Sequence, residues 1–411
     1  MDRILLLADD LTGALDAAAP LRRQGFSASV SLTPAGLTTS TGDWPDVLAM
    51  TTETRHDADP ASTLRRIARD IPRARLVYKK IDSTLRGQFA REIVALLEIW
   101  GFQSALVVPA LPSQGRQLVQ GRLVIDGVTQ DTHLPSLIRQ QTGLEVAHLR
   151  IDNVRSGPDE LAGALEYALS TRASFVVVDA ATDGDLDQIA RAVQQLEARP
   201  LVAGSAGFAG YLPIAWDLRK PAATPAWAPA GEGPLLFVLG SAHPRTHAQV
   251  RSLREQGVEH VEFAPELIDT GISERCVRRL QNGVDVVLTL LWPPDLRIDT
   301  VAPSQQHQLA RGLAGVVRSV LWQTNVATLV LSGGDTAYAV CKTLGVSAIV
   351  LDGEILPGLP IGHGLTADGK VVMLITKAGG FGQEDALNDV RSLLRAGMAV
   401  PAGPHNSGSI P

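Results

Sequence analysis

The chain has 411 residues, 45% of them hydrophobic, with 37 Lys and Arg against 43 Asp and Glu. At about 100–200 residues per domain, this length predicts two or three domains with ordinary cores, and a charged fraction of 19% excludes a disordered, solvating chain. A net charge of −6 and only 4% aromatic residues exclude a basic footprint over the whole surface and a base-stacking platform, so no nucleic-acid partner is expected.

Two cysteines, Cys276 and Cys341, are too few for a disulfide framework and lack metal-ligand spacing. Reduced thiols in a cytoplasmic protein are expected. The apolar start at residues 4–8 ends at once in Asp9-Asp10, unlike a signal peptide. No run approaches the roughly 18 apolar residues of a membrane span.

In the first half, short Val/Leu/Ile-rich runs at 4–8, 27–32, 46–50, 75–79, 105–109, 174–179 and 201–204 lack polar alternation. They predict strands buried on both faces of a parallel sheet. Helix patterns at 13–24, 60–70, 90–100 and 159–169 alternate with them, which predicts an α/β fold. Residues 220–234 hold four prolines and read as a semi-rigid linker. The rhythm then restarts, with strands at 235–239, 260–263, 285–291, 328–332, 348–351 and 371–376 and helices at 245–256, 305–323 and 337–344. The tail 399–411 is rich in Gly, Pro and Ser and is expected to be disordered. The fold class is therefore α/β: two domains, 1–222 and 233–398, with mostly parallel sheets and an interdomain active-site cleft.

In open α/β sheets, ligands sit outside the carboxyl ends of the strands, so the polar clusters there are the candidate site. Asp9 and Asp10 follow the first strand, with Thr12 and Gly13 behind them. One Asp would cap a helix; two exceed that need, and one carboxylate suits proton transfer from a hydroxyl. Lys79, Lys80, Asp82, Ser83, Thr84 and Arg86 follow the fourth strand. Cations and hydroxyls so dense fit a small carboxylate or phosphate. Arg55 and Arg116 offer further anion contacts. The small residues around Asp179 and at 203–207 are expected to serve close packing or a cleft wall.

The second half carries Gly-rich turns: Gly240-Ser241, Gly333-Gly334-Asp335-Thr336 before a helix, and Lys377 with Gly379, Gly380 and Gly382. Backbone N–H groups in such turns make anion sites. Neither the dinucleotide-binding fingerprint nor a P-loop pattern is present. The histidines show no metal-ligand spacing.

Taken in order, residues 8–16, 80–87, 109–116, 333–336 and 377–382 resemble the four-carbon acid sugar kinase family, a resemblance running from Arg3 to about Leu394. It implies an N-terminal acid-sugar domain and a C-terminal nucleotide domain, with ATP-dependent phosphorylation of the C4 hydroxyl of a tetronate and Mg²⁺ bridging the phosphates. From the chemistry of the residues, Asp10 or Asp9, with Asp82 in reserve, is expected near the attacking hydroxyl, and Arg55, Lys80, Asp82, Ser83, Arg86 and Arg116 are expected to hold the acid. The resemblance implies nucleotide contacts at Ser241, Gly333, Gly334, Asp335, Thr336 and Gly380, and Lys377 and Gly379 are expected to join them. No metal ligands follow from the motifs.

Leu11 and Leu85-Arg86 look like the D-threonate/D-erythronate branch, since 3-oxo-tetronate kinases carry Phe and Ala-Lys there. Gln88 stands where the family usually has Asn. The alternatives are a 3-oxo-tetronate 4-kinase and, in another class, a non-catalytic two-lobed sugar-acid sensor. A homodimer is compatible with the chain.

Overall fold

The computed structural model describes residues 3–34, 45–71, 74–219, 233–264, 271–291 and 301–396. The core of the expected linker (220–232) and the expected tail lie outside these residues.

The first half supplies β1 (Ile4–Ala8), β2 (Ala28–Ser31), β3 (Val47–Thr51), β4 (Leu76–Lys80), β5 (Ala105–Val108), β6 (Arg116–Val119), β7 (Arg122–Ile125), β8 (Val128–His133), β9 (Val146–Leu149), β10 (Phe175–Val178) and β11 (Leu201–Gly204). The second supplies β12 (Leu235–Leu239), β13 (Glu259–Phe263), β14 (Val286–Leu290), β15 (Thr328–Ser332), β16 (Ala348–Leu356), β17 (Leu359–Leu365) and β18 (Val371–Lys377). Helices pack on both faces. Strands such as β1, β5, β10 and β12 are buried at every position, which is why their sequences run apolar without alternation.

Two α/β halves are present, but their strands join in one 15-stranded sheet. The seam is antiparallel: Ala348, Ile349 and Val350 of β16 pair with Ser31, Val30 and Ser29 of β2. Across the seam, Arg22 Nε donates to Leu351 O at 3.0 Å and Arg23 pairs with Glu354 at 3.0 Å.

Each half opens with the same strand order. In space the first runs β2-β3-β1-β4 and the second β13-β14-β12-β15, all parallel. The winding direction therefore reverses beside β1 and beside β12, and such reversals leave a crevice at the strands' carboxyl ends.

A separate three-stranded antiparallel sheet, β6-β7-β8, interrupts the first half. Arg116, expected in a loop, is the first residue of this sheet. Buried Asp179 ties it down by accepting from Gln120 N at 2.7 Å and Gly121 N at 2.9 Å, in keeping with a packing role. No helix among the described residues is long and apolar enough to cross a membrane.

Candidate active site

Asp9 and Asp10 leave the carboxyl end of β1, between the ends of β3 and β4. Asp10 caps the helix Leu11–Arg23: its Oδ1 accepts from Gly13 N at 2.8 Å. Its Oδ2 accepts from Thr12 Oγ1 at 2.9 Å and from Arg55 Nη1 at 2.7 Å. Arg55 turns its other edge to Asp9, donating to both oxygens at 2.8 and 2.9 Å. One planar guanidinium thus fixes both carboxylates.

Asp82 lies 3.7 Å from Arg55 Nη2 and accepts two hydrogen bonds from the Arg86 guanidinium, at 3.0 and 2.9 Å, and one from its backbone N–H at 3.4 Å. Thr84 adds its N–H at 3.1 Å and its hydroxyl. Burial pushes the Asp9 carboxyl up, but Arg55, Lys79 and Lys80 together hold it below its ordinary value. Burial likewise acts on Asp82, and Arg86 and Arg55 overcome it to hold that carboxyl well below the carboxylate range. Both are ionised at neutral pH.

Lys80 and Lys79 part company because alternate strand residues face opposite ways. Lys80 is buried beside Asp10, donates to Ile81 O at 3.0 Å, and stands 3.1 Å from where a Cβ on Gly13 would lie. Lys79 points to the opposite face and pairs at 3.1 Å with the buried Glu92. It serves the core, which corrects its inclusion in a single anion-binding cluster. Ser83 is buried in the same turn. Gln88 turns away and donates to Asp57 O at 3.0 Å, which ties the end of this turn to a neighbouring loop.

In the second half the three Gly-rich turns meet. They follow the adjacent strands β12, β15 and β18. A Cβ on Gly333 would lie 3.6 Å from Ser241 N, and one on Gly379 would strike the Ser241 hydroxyl. Gly333 has φ +102 and leaves the helix Gly334–Thr343 without a side-chain cap. Its first N–H groups are the anion-binding kind. Thr336 packs its hydroxyl against Gly240. Lys377 is buried and donates to the carbonyls of Ala378 at 3.1 Å, Gly379 at 3.0 Å and Phe381 at 3.2 Å. In this arrangement its ammonium ties the glycine loop together and faces none of the open space.

The halves touch at these turns. A Cβ on Gly334 would lie 2.6 Å from Asp10 Oδ2. Arg116 reaches over from the first half, with its guanidinium carbon 5.1 Å from the Phe381 ring centroid.

Two carboxylates here escaped the sequence reading. Glu53 has a left-handed backbone, φ +52, the kind of strain that gathers at functional sites. Burial raises its carboxyl to about 8, with Asp10 and Asp335 adding to the rise. Asp16 lies one helical turn beyond Thr12, and burial raises it to about 7. Its place after Thr12 was the available signal.

Residues 4–212 match the family model of a sugar-binding N-terminal domain, and residues 236–387 that of a nucleotide-binding C-terminal domain. The chain belongs to the four-carbon acid sugar kinase family. A D-threonate kinase of Bordetella bronchiseptica is 30% identical over 96% of each chain. A 3-oxo-tetronate kinase of Pseudomonas fluorescens is 26% identical over 96% of this chain and 97% of its own. A crystal structure of a Salmonella typhimurium protein, 20% identical, matches the fold with a TM-score of 0.74 over 95% of this chain and 99% of that one. These acid sugar kinase relatives span 96% of the chain, and the contact of Asp10 with Gly334 joins the two matched domains.

Proposed function

We propose that this chain transfers the γ-phosphoryl group of ATP to the C4 hydroxyl of a four-carbon sugar acid, D-threonate or D-erythronate. Residues 1–222 hold the acid and residues 233–398 the nucleotide. The observation that carries this is the abutment of Asp10 on the Gly334 turn, a carboxylate against an uncapped helix N-terminus.

Lys80, Ser83 and Arg86 hold the acid's carboxylate and hydroxyls. Arg55 and Asp9 fix Asp10. The C4 oxygen bonds to the γ-phosphorus, the bond from that phosphorus to the β–γ bridging oxygen breaks, and the hydroxyl proton passes to Asp10 Oδ2. ADP and the 4-phospho acid leave. Phosphoryl transfer needs mainly this positioning and charge neutralisation.

Ser241, the Gly333–Thr336 turn and the 379–380 backbone hold the phosphates. Asp335 would offer a hard oxygen beside them, and Glu53, whose carboxyl is raised to about 8, a second once a cation displaces its proton. That fits Mg²⁺, which takes one or two carboxylates plus phosphate oxygens and water. When bound, it neutralises charge on the phosphates.

Cys276 and Cys341 are buried, and burial pushes their thiols up to about 11 and 12. Such inert thiols suit a reducing cytoplasm. Exposed Trp322, Leu365 and Val371 offer a homodimer an apolar surface. The test is a coupled ADP-release assay over D-threonate, D-erythronate and the 3-oxo-tetronates. Tetronate-dependent ADP release is expected; none with any tetronate overturns the reading.

A further inference from the structure

We propose that Arg116 is a catalytic arginine for the transferring γ-phosphoryl group, lent by the acid-holding half to the nucleotide-holding half, and that it is not a contact for the acid. The inference rests on the kinase reading above.

Arg116 differs from its neighbours by what it lacks. Arg55 pairs with Asp9 and Asp10, and the more exposed Arg86 pairs with Asp82. Arg116 makes no ion pair with a carboxylate among the described residues. Its Nε is buried without a hydrogen-bond partner, and its Nη1 has only a long contact of 3.4 Å with Gln114 O. An unmet buried donor on a cation is costly. Here the missing partner is an anion.

The direction of the side chain says which anion. Arg116 feels the charges of Asp82, Asp126 and Asp16 of its own half, but pairs with none of them. It crosses to the other half, where Nη2 comes within 3.5 Å of the point a Cβ on Gly380 would occupy, and its guanidinium stacks over Phe381. Gly380 and Phe381 belong to the loop that packs on Ser241, beside Gly333 and Gly334. That is the phosphate side of the gap.

The side chain is also held still at its root. Pro112 starts a short 3-10 turn that Gly115 closes at φ +68. Leu111 and Arg116 then exchange two backbone hydrogen bonds, at 2.8 and 3.1 Å. On the same turn, Gln114 Nε2 lies 3.3 Å from the Cβ position of Gly358 in the second half. A donor fixed in advance costs no reorganisation when charge builds on the equatorial phosphoryl oxygens. Because root and target lie in different halves, the arginine bridges the acid-holding half to the phosphate side of the gap.

The test compares Arg116→Ala and Arg116→Lys with the wild type. Calorimetry with ADP alone, needing no acid, should give unchanged affinity and shows that the variants fold. Affinity for ADP with aluminium fluoride, which mimics the transferring phosphoryl group, should fall at least tenfold in Arg116→Ala. With the best tetronate, kcat should fall about 10³-fold, KM for the acid should move little, and added guanidinium should restore part of the rate. Unchanged affinity for ADP with aluminium fluoride overturns the proposal. So does a higher KM for the acid with kcat retained, which would return Arg116 to the acid. If the wild type phosphorylates no tetronate, the function reading fails, while the fluoride measurement still decides on Arg116.

Discussion

The Asp10 carboxylate and the Gly334 backbone occupy adjoining space: a Cβ on Gly334 would lie 2.6 Å from Asp10 Oδ2. One residue ends the first strand of the acid-holding half, and the other opens the phosphate-side helix of the second half. Gly334→Ala would press a methyl group on that carboxylate and on Thr12, 3.4 Å away. We expect kcat to fall at least tenfold with Tm changed little. Asp10→Asn should cost more, about 10²–10⁴-fold in kcat, the usual worth of general base catalysis. Steady-state kinetics with the best tetronate checks both, and near-normal turnover of Asp10→Asn would remove Asp10 from the chemistry.

Arg55 holds Asp9 with two hydrogen bonds and Asp10 with a third. Lysine cannot reproduce this fork. Arg55→Lys should therefore lose more activity than Asp9→Asn, which removes only one arm of the network. If Asp9→Asn proves the more damaging, Asp9 acts on substrate directly.

Much of this site was legible in the sequence, because strand ends in an α/β protein are marked by abrupt changes from apolar to polar residues. Asp9-Asp10, 80–87, 333–336 and 377–382 were found that way. The pairings were not, since Arg55 and Asp9 lie far apart in the chain and meet only because β1 and β3 are neighbours. Asp16 and Glu53 gave no local sign of burial: one sits within a helix pattern and the other just past a strand. In the fold, β8 escaped because it is polar and largely exposed, and β6 and β7 because each is four residues long with an arginine at its start and buried and exposed positions mixed. β17 carries Pro360, Gly362 and Gly364, which read as a turn. The joining of the halves through β2 and β16 depends on a three-residue register that no local pattern announces.

Asp16 gives a stability prediction with a definite sign. Burial raises its carboxyl from 3.8 to about 7 in the folded chain, so between those values the folded state holds a proton that the unfolded state has released. Stability therefore falls as pH rises from about 4 to 7, by up to about 1.4 kcal/mol per pH unit from this group. Asp16→Asn removes that loss. Denaturation at pH 5 and pH 8 should show the variant gaining on the wild type as pH rises; a constant difference would contradict the assignment.

Lys377 donates to three carbonyls of its own loop. As a loop anchor, its replacement in Lys377→Met should weaken ADP and ATP binding by the same factor and lower Tm. Had it held the terminal phosphate, ATP would lose more. Calorimetry with both nucleotides, using the non-hydrolysed β,γ-imido analogue for ATP, separates the two cases.

The central claim is phosphoryl transfer to the C4 oxygen of a tetronate across the contact of Asp10 with Gly334. Its most direct test is phosphorus–proton NMR of the product formed from ATP, Mg²⁺ and D-threonate or D-erythronate. The account predicts a phosphate coupled to the C4 methylene protons, and none in Asp10→Asn over the same time. A phosphate on another oxygen, or ADP and free phosphate with no phosphorylated acid, would contradict it.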